Sequence, residues 1–313
     1  MIDWVIGSHG LLGSAIRDEL FKLGNPWQPS YQINWAENSD SESVARLEAS
    51  MNSAVEEFTR ENIGQDWTIF WCAGIGVVNS PDESLELEIL AVKFLISALE
   101  RFGLKSNSLG KVFFSSSAGA VYAGSSNPPF NEATQAVPIS SYGKQKIAIE
   151  QLLVNFGQSS NTKIIIGRIA NLYGVKQNRL KQQGLITTLV QNSLTNTVTN
   201  LYVPLATIRN YVYAPDAASQ IVSHVMETTE PIRLAVICSK ENWSLSSILQ
   251  ITEDVMKKRP RYFQTSREST ILQPVDLRLA SLNALRHSEV TLVEGIDKVR
   301  LHLLDSLQRG VLV

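Results

Sequence analysis

Residues 2–24 read IDWVIGSHGLLGSAIRDELFKLG and predict a strand, a glycine turn and a helix in direct succession. The apolar stretch from Ile2 to Ile6 has the length of a short strand, and apolar side chains return at helical spacing in the segment that follows the turn. Between the two, the glycines are spaced G-x-x-G-x-x-G. This strand–turn–helix context is typical of a site that binds the pyrophosphate of a dinucleotide.

The three glycines have different expected roles. Gly7 makes the tight turn, Gly10 lets a pyrophosphate approach backbone N–H groups at the helix N-terminus, and Gly13 permits close packing of the helix on the strand. His9 is better explained as a loop residue than as a ligand. The expected cofactor-binding segment is Gly7, Ser8, His9, Gly10, Leu11, Leu12 and Gly13.

Strands and helices continue to alternate through the first two thirds of the chain. Residues 67–72 form an apolar run that leads into Ala73 and Gly74, as a buried parallel strand does where it ends at a ligand crevice. Other expected elements are helices at Ser84–Phe102 and Tyr142–Asn155 and strands at Val112–Phe114 and Lys163–Arg168. The alternation predicts an α/β fold with a doubly wound parallel sheet. Glu88 and Lys93 are assigned to a solvated helix face.

The segment SSYGKQK, residues 140–146, places Tyr142 four residues before Lys146. On a helix, the two side chains lie on one face about one turn apart. A fixed positive charge favours the ionised form of a phenol, so Tyr142 can exchange a proton with a substrate hydroxyl. A serine from the preceding strand end can hold that hydroxyl. The alternative is an ordinary amphipathic helix that carries a surface lysine.

Composition and charge narrow the class of protein. The chain has 313 residues, of which 44% are apolar, which suits one large α/β domain or two closely joined ones. A formal charge of −2 and a pI near 6.1 give no electrostatic reason for nucleic acid or a membrane as a partner. Cys72 and Cys238 are too few and too far apart for a disulfide framework or a thiolate zinc site, so no metal is expected. We expect a cytoplasmic protein.

The segment after the first helix bears on the choice of cofactor. Residues 27–35 can hold one strand, and Asn34 stands about where an acid that binds a ribose 2′-hydroxyl would be. No Arg or Lys occurs between Lys22 and Arg46 to receive a 2′-phosphate. This pattern favours NAD over NADP, although NADP stays open.

Five motifs in order give the chain a family resemblance that spans nearly its whole length. They are GSHGLLG, SSSAGAVY, SSYGKQK, GRIANLYG and IRNYVYAPDAA. Together they resemble the extended short-chain dehydrogenase/reductases, the group of NAD-dependent nucleotide-sugar epimerases, dehydratases and reductases. The resemblance implies a Rossmann domain at residues 1–175 and about 202–226. It also implies a smaller C-terminal α+β substrate-binding lobe at about 176–201 and 227–313.

The resemblance also implies roles for the candidate catalytic residues. Tyr142 would be the acid/base, and Lys146 would bind the nicotinamide ribose. Ser117, which lies 25 positions before the tyrosine, would hydrogen-bond the reacting oxygen. Ser116 is the alternative to Ser117, because the serine segment carries one residue more than the common family form.

A nucleotide diphosphate-linked sugar is the expected substrate. By resemblance, Asn171 would contact the diphosphate. Arg209 is the strongest phosphate candidate because its setting, TIRNYVY, is apolar, and Arg267 is a weaker one. In relatives the helices at 84–102 and 142–155 pair into a dimer interface, so we expect a homodimer.

The reaction class is narrowed by one departure from the family pattern. Ala118, Gly119 and Ala120 provide no carboxylate to eliminate water, which disfavours a dehydratase. An epimerase or a keto-sugar reductase is the better hypothesis, with the epimerase slightly ahead. The alternatives are a dehydrogenase or reductase of another small carbonyl compound and a non-catalytic dinucleotide-binding redox sensor.

Overall fold

The computed structural model describes residues 2–24, 26–30, 32–36, 38–74, 76, 80–102, 109–177, 184–265, 274–283 and 289–310. The strands among them are β1 (Ile2–Ile6), β2 (Trp67–Trp71), β3 (Gly110–Ser117), β4 (Thr162–Ile169), β5 (Asn171–Tyr173), β6 (Thr199–Leu201), β7 (Ile208–Tyr213), β8 (Ile232–Ile237), β9 (Asn242–Ser244), β10 (Tyr262–Gln264) and β11 (Asp276–Leu277). The helices are α1 (Leu11–Phe21), α2 (Ser41–Glu61), α3 (Asp82–Phe102), α4 (Ala118–Val121), α5 (Ser141–Ser159), α6 (Leu185–Thr195), α7 (Ala214–Glu227), α8 (Leu245–Met256) and α9 (Leu292–Gln308).

A five-stranded sheet forms the centre of the fold, in the order β1-β2-β3-β4-β8. Every neighbouring pair of its strands is parallel. Ile6 lies level with Trp71, and Trp71 lies level with Phe114. The glycine turn, the residues after β2 and the serines of β3 therefore gather at one edge of the sheet, where parallel strands place a ligand crevice.

Helices cover both faces of this sheet, which confirms the predicted doubly wound α/β fold. Apolar residues alternate along the strands, so that each strand packs against helices on both sides. α1 and α7 cover the face that presents Val5, Phe70, Phe113 and Ile165. α2, α3 and α5 cover the face that presents Trp4, Ile69, Val112 and Ile164.

The prediction that residues 27–35 hold a strand is wrong about its length. Among the described residues of that segment, only Trp27 pairs with the sheet, through one parallel bridge to Trp4. Its indole packs edge-on against the ring of Trp4 at 5.3 Å and against Phe58 at 5.0 Å between centroids. Aromatic packing onto α2 therefore holds this segment, and Asn34 does not end a strand.

The second half of the chain adds short strands and three helices with a core of their own. β7 pairs with β5 and β11 in parallel and with β9 in antiparallel, while β10 pairs with β6. α6, α8 and α9 enclose a cluster of buried residues that includes Leu189, Ile248 and Ile296. The segment RYFQTSREST, residues 261–270, has the composition of an edge strand; residues 262–264 of it form β10, and residues 266–270 lie outside the described residues.

Length and polarity exclude membrane-crossing helices within the described ranges. None of the helices there combines enough residues with enough apolar character to span a bilayer.

Candidate active site

The glycine turn joins β1 to α1 and packs against the end of β2. Gly7 has φ +86°, and a Cβ on it would lie 2.6 Å from the backbone nitrogen of Ala73. A Cβ on Gly13 would lie 2.2 Å from the carbonyl oxygen of Gly7. At Gly10 the nearest atom would be 3.4 Å away, which is an ordinary contact. The packing of the chain therefore requires glycine at the first and third positions, whereas Gly10 leaves its exposed side open to a ligand.

The N-terminus of α1 is open as well. Gly10 is the N-cap residue in extended conformation, and no side chain accepts a hydrogen bond there. His9 is exposed, while Ser8 and Leu12 are buried and Leu11 is half-buried. Uncapped N–H groups at a helix N-terminus form an anion site, and a glycine beside them permits close approach. The residues of this turn thus fit the pyrophosphate of a dinucleotide.

Asn34, the residue expected at the ribose, lies apart from a strand end. Its side chain is exposed, and its backbone N–H donates to Ser50 Oγ at 3.0 Å. Arg46, the first basic residue beyond it, donates to Glu42 and Ser43 of its own helix. The first basic side chain after the segment is thus already paired.

Tyr142 and Lys146 lie in the first two turns of α5, as the spacing predicts. Ser140 caps this helix, since its Oγ accepts from the N–H of Gly143 at 3.1 Å. The Nζ of Lys146 lies 5.5 Å from the ring centroid of Tyr142 and 5.0 Å from that of Phe114. The tyrosine is half-buried and the lysine is buried. An ammonium is therefore held beneath a phenol that stays accessible.

Glu88 of α3 contacts this pair, which the sequence interpretation missed. Its Oε1 accepts from Lys146 Nζ at 2.7 Å, and its Oε2 accepts from Gln145 Nε2 at 2.9 Å. Both side chains of the ion pair are about 5–6% exposed, so the assignment of Glu88 to a solvated face is wrong. Helical periodicity could have predicted that Glu88 is buried, because it lies on the same stripe of α3 as the buried residues Leu85, Val92 and Leu95.

The charge on Lys146 is set by opposing effects. Burial alone would lower the pKa of Lys146, but Tyr142 and Glu88 outweigh it, so the pKa of this ammonium is raised. Lys146 therefore stays protonated at neutral pH.

The two candidate serines differ in their surroundings. Ser116 is buried and its Oγ donates to Glu150 Oε1 at 2.5 Å. Ser117 is half-buried at the end of β3, and its side chain makes no capping hydrogen bond to α4. The hydroxyl of Ser116 is thus committed to the protein, whereas that of Ser117 is the better placed of the two for a ligand.

A second buried ion pair lies behind Ser116. Glu150 Oε2 accepts from Arg168 Nη2 at 2.7 Å, and Arg168 Nη1 donates to the hydroxyl of Tyr122 at 3.0 Å. Sequence motifs did not identify this cluster, because its members lie on β3, α5 and β4 and at Tyr122, the residue after α4. Only the three-dimensional fold brings them together.

Arg209 of β7 is surrounded by backbone carbonyl groups. Its guanidinium donates to the oxygens of Ile208 at 2.8 Å, Pro274 at 2.9 Å and Val275 at 3.2 Å. Burial lowers the pKa of Arg209, against the smaller raising effects of Tyr211 and Asp276. Across the described ranges, no carboxylate forms an ion pair with it. Backbone carbonyls are thus the partners that the structure gives this guanidinium.

The remaining candidates are placed as follows. Asn171 begins β5 and is exposed. Arg267 lies outside the described residues. Ala73 is buried, and Gly74 lies beside Glu88, since a Cβ on Gly74 would be 3.0 Å from Glu88 Oε1. No cluster of three or more His, Cys, Asp or Glu side chains suited to a metal occurs in the part of the chain that the structure describes.

Comparisons with known proteins identify a family and related chains. The model of the NAD dependent epimerase/dehydratase family matches residues 4–234. The dTDP-4-dehydro-6-deoxyglucose reductase of Escherichia coli is 28% identical over 201 residues, which cover 63% of this chain but only 62% of that enzyme.

Solved structures show the same fold. The UDP-glucose 4-epimerase of Thermotoga maritima with UDP-glucose superposes with a TM-score of 0.79 at 20% identity, covering 98% of this chain and 100% of that one. The UDP-glucose 4-epimerase of Thermus thermophilus in complex with NAD gives a TM-score of 0.76 at 22% identity, covering 97% and 99%.

Proposed function

This chain belongs to the NAD dependent epimerase/dehydratase family, and we propose that it is an enzyme that moves a hydride and a proton at one carbinol carbon of a nucleotide diphosphate-linked sugar. The arrangement of Tyr142 above Lys146 on α5 carries this proposal. A half-buried phenol and a buried ammonium 5.5 Å from its ring suit a proton-transfer site. An epimerase or a keto-sugar reductase fits better than a dehydratase, because Ala118 to Ala120 supply no acid.

The glycine turn supports a nicotinamide dinucleotide as cofactor. When bound, NAD supplies the hydride acceptor and donor of the reaction. Gly10 and the open N-terminus of α1 would hold its pyrophosphate, and Ala73 and Gly74 would line the crevice beside it. The pairing of Arg46 within α2 supports NAD over NADP, since it leaves the segment after α1 without a free cation for a 2′-phosphate among its described residues.

Three side chains would act on the substrate oxygen. Tyr142 donates or accepts the proton of the reacting hydroxyl or carbonyl, and Lys146 holds positive charge beneath the phenol. Ser117 donates a hydrogen bond to the same oxygen. The commitment of Ser116 to Glu150 supports Ser117 for this role. Positioned proton transfer of this kind contributes about 10²–10⁴-fold to the rate.

Arg209 would anchor the diphosphate far from the reacting carbon. Arg209 is half-buried and has no carboxylate partner among the described residues, so a bound anion can add a favourable charge interaction. Charge-assisted hydrogen bonds to phosphate are stronger than neutral ones, and Arg can make two of them at once. Asn171 and Arg267 are assigned secondary contacts in the same role. Such an anchor would leave the sugar free to be positioned against Tyr142.

The proposal is tested by incubating the enzyme and NAD or NADH with UDP- and dTDP-linked hexoses and their 4-keto forms. An epimerase converts one sugar into its epimer without net change in NADH absorbance, whereas a reductase consumes NADH in step with product. Tyr142→Phe should remove either activity, and Tyr262→Phe in β10 is the matched control. Turnover of free sugars at the same efficiency as the nucleotide forms would overturn the substrate assignment and favour a general small-carbonyl reductase.

A further inference from the structure

Glu88 is a buried charge on the apolar stripe of α3, where Leu85 and Val92 are its neighbours. Its carboxylate accepts hydrogen bonds from Lys146 Nζ and Gln145 Nε2, two neighbours on α5. A buried carboxylate that binds the lysine of the proposed site invites a functional explanation.

The charges that face Lys146 come from the elements packed around it. α3 presents Glu88, and α5 itself presents Tyr142 and Glu150. β4 presents Arg168, which forms an ion pair with Glu150. β3 presents the ring of Phe114 at 5.0 Å from Nζ. Because Glu150 is largely neutralised by Arg168, Glu88 is the carboxylate that directly balances the ammonium.

Given the proton-transfer role proposed for Tyr142, we propose that Glu88 is a positioning residue that fixes the ammonium of Lys146 and tunes the phenol through it. The bond at 2.7 Å orients the Nζ under the Tyr142 ring. The same negative charge offsets part of the positive charge that favours the phenolate. Glu88 thereby keeps the positive charge of Lys146 at one place beneath the phenol while the phenol exchanges a proton.

The place of Glu88 also connects Lys146 to the loop after β2. A Cβ on Gly74 would lie 3.0 Å from Glu88 Oε1 and 3.1 Å from Oε2, so this loop lies directly against the carboxylate. A side chain at residue 74 would press on the carboxylate that holds the lysine. Glycine at residue 74 therefore lets the loop after β2 pack directly against the Glu88–Lys146 pair.

The test is a spectroscopic titration that needs neither cofactor nor substrate. Tyrosinate absorbance is followed against pH for the wild type and for Glu88→Gln, each minus its own Tyr142→Phe counterpart, so that only Tyr142 contributes. Removing the negative charge should move the tyrosinate titration to lower pH. The pH profile of turnover should move in the same direction.

Glu150→Gln is the matched control, since it removes an equally buried carboxylate from the ion pair with Arg168. Its shift should be less than half of that in Glu88→Gln. An unmoved titration in folded Glu88→Gln, or an equal shift in both variants, would overturn the proposal. If Glu88→Gln fails to fold, Glu88→Met removes the same charge with a side chain suited to the apolar stripe of α3 and should give a shift in the same direction, whereas no shift would count against Glu88.

The titration separates this inference from the proposed function. If Glu88→Gln shifts the titration but no nucleotide sugar is turned over, the substrate assignment fails and the positioning role stands. If nucleotide sugars are turned over and the titration does not move, the positioning role alone fails.

Discussion

Breaking the Glu88–Lys146 pair from one side should cost far more stability than removing both charges. Lys146→Met leaves a carboxylate buried without its cation, and Glu88→Gln leaves a buried ammonium without its anion. Each change should lower the free energy of unfolding by about 3–5 kcal/mol, the usual cost of removing one partner of a buried ion pair. The double variant should lie within about 1–2 kcal/mol of the wild type, because no lone charge remains.

Two features of the structure shape these magnitudes. Gln145 Nε2 also donates to the carbonyl of Leu85 at 3.1 Å, so Glu88→Gln does not leave this amide without an acceptor. The pKa of Lys146 is raised on folding, so the pair contributes fully below the ordinary pKa of lysine, and its contribution is lost as the pH rises through the folded value. The measurement therefore belongs near neutral pH.

Urea unfolding of the four proteins, followed by circular dichroism, measures the cycle. Lys144→Met is the control, because Lys144 lies on the same helix but is exposed, and its loss should change the free energy by no more than about 0.5 kcal/mol. The reasoning is refuted if Lys146→Met costs no more than Lys144→Met, or if the effects of Lys146→Met and Glu88→Gln simply add in the double variant.

Four further outcomes are expected. Tyr142→Phe should lower turnover by about 10²–10⁴-fold with little change in NAD affinity, and near-wild-type turnover would contradict the acid/base role. Gly10→Val should abolish NAD binding in calorimetry. The melting temperature should stay close to that of the wild type, because the nearest atom to a Cβ at residue 10 is 3.4 Å away. Gly13→Ala is the contrasting variant and should lose stability, because a Cβ at residue 13 would lie 2.2 Å from another atom. NAD should bind at least as tightly as NADP, and a tenfold preference for NADP, about 1.4 kcal/mol, would oppose the cofactor assignment. Arg209→Ala should raise the KM for a nucleotide sugar but not for the free sugar, and an unchanged KM would remove the diphosphate anchor.

Local sequence patterns were enough for strands β1 to β4 of the sheet and for the spacing within α5, but β8, which completes the sheet, falls in the segment 227–313 that was assigned to the second lobe. The strand–glycine–helix unit at residues 2–24 and the buried strands β2, β3 and β4 are each predicted by the pattern of apolar residues within one short segment. Tyr142 and Lys146 needed only a helix that begins at Ser141, which the cap at Ser140 provides. The family resemblance and the doubly wound fold followed from these units.

Features decided by contacts between distant segments escaped prediction. Residues 27–35 carry the aromatic and apolar composition of a strand, but Trp27 is held by the rings of Trp4 and Phe58 rather than by a ladder of hydrogen bonds. The short strands β6 and β11 have three and two residues, too few for periodicity to indicate a strand. The roles assigned to Ser117, Asn171 and Arg209 stay predictions.

The polar residues of α5 explain why Glu88 is buried on α3 and not exposed to solvent. Tyr142, Lys146 and Glu150 recur at four-residue intervals, so one face of the helix turns a line of polar groups toward the sheet. A helix packed this way cannot bury that line against apolar neighbours alone. Glu88 of α3 forms an ion pair with Lys146, and Arg168 of β4 forms one with Glu150. If Tyr142 and Lys146 form a proton-transfer pair, the buried ammonium needs a negative charge beside it. The facing helix α3 supplies that charge through a glutamate on its apolar stripe.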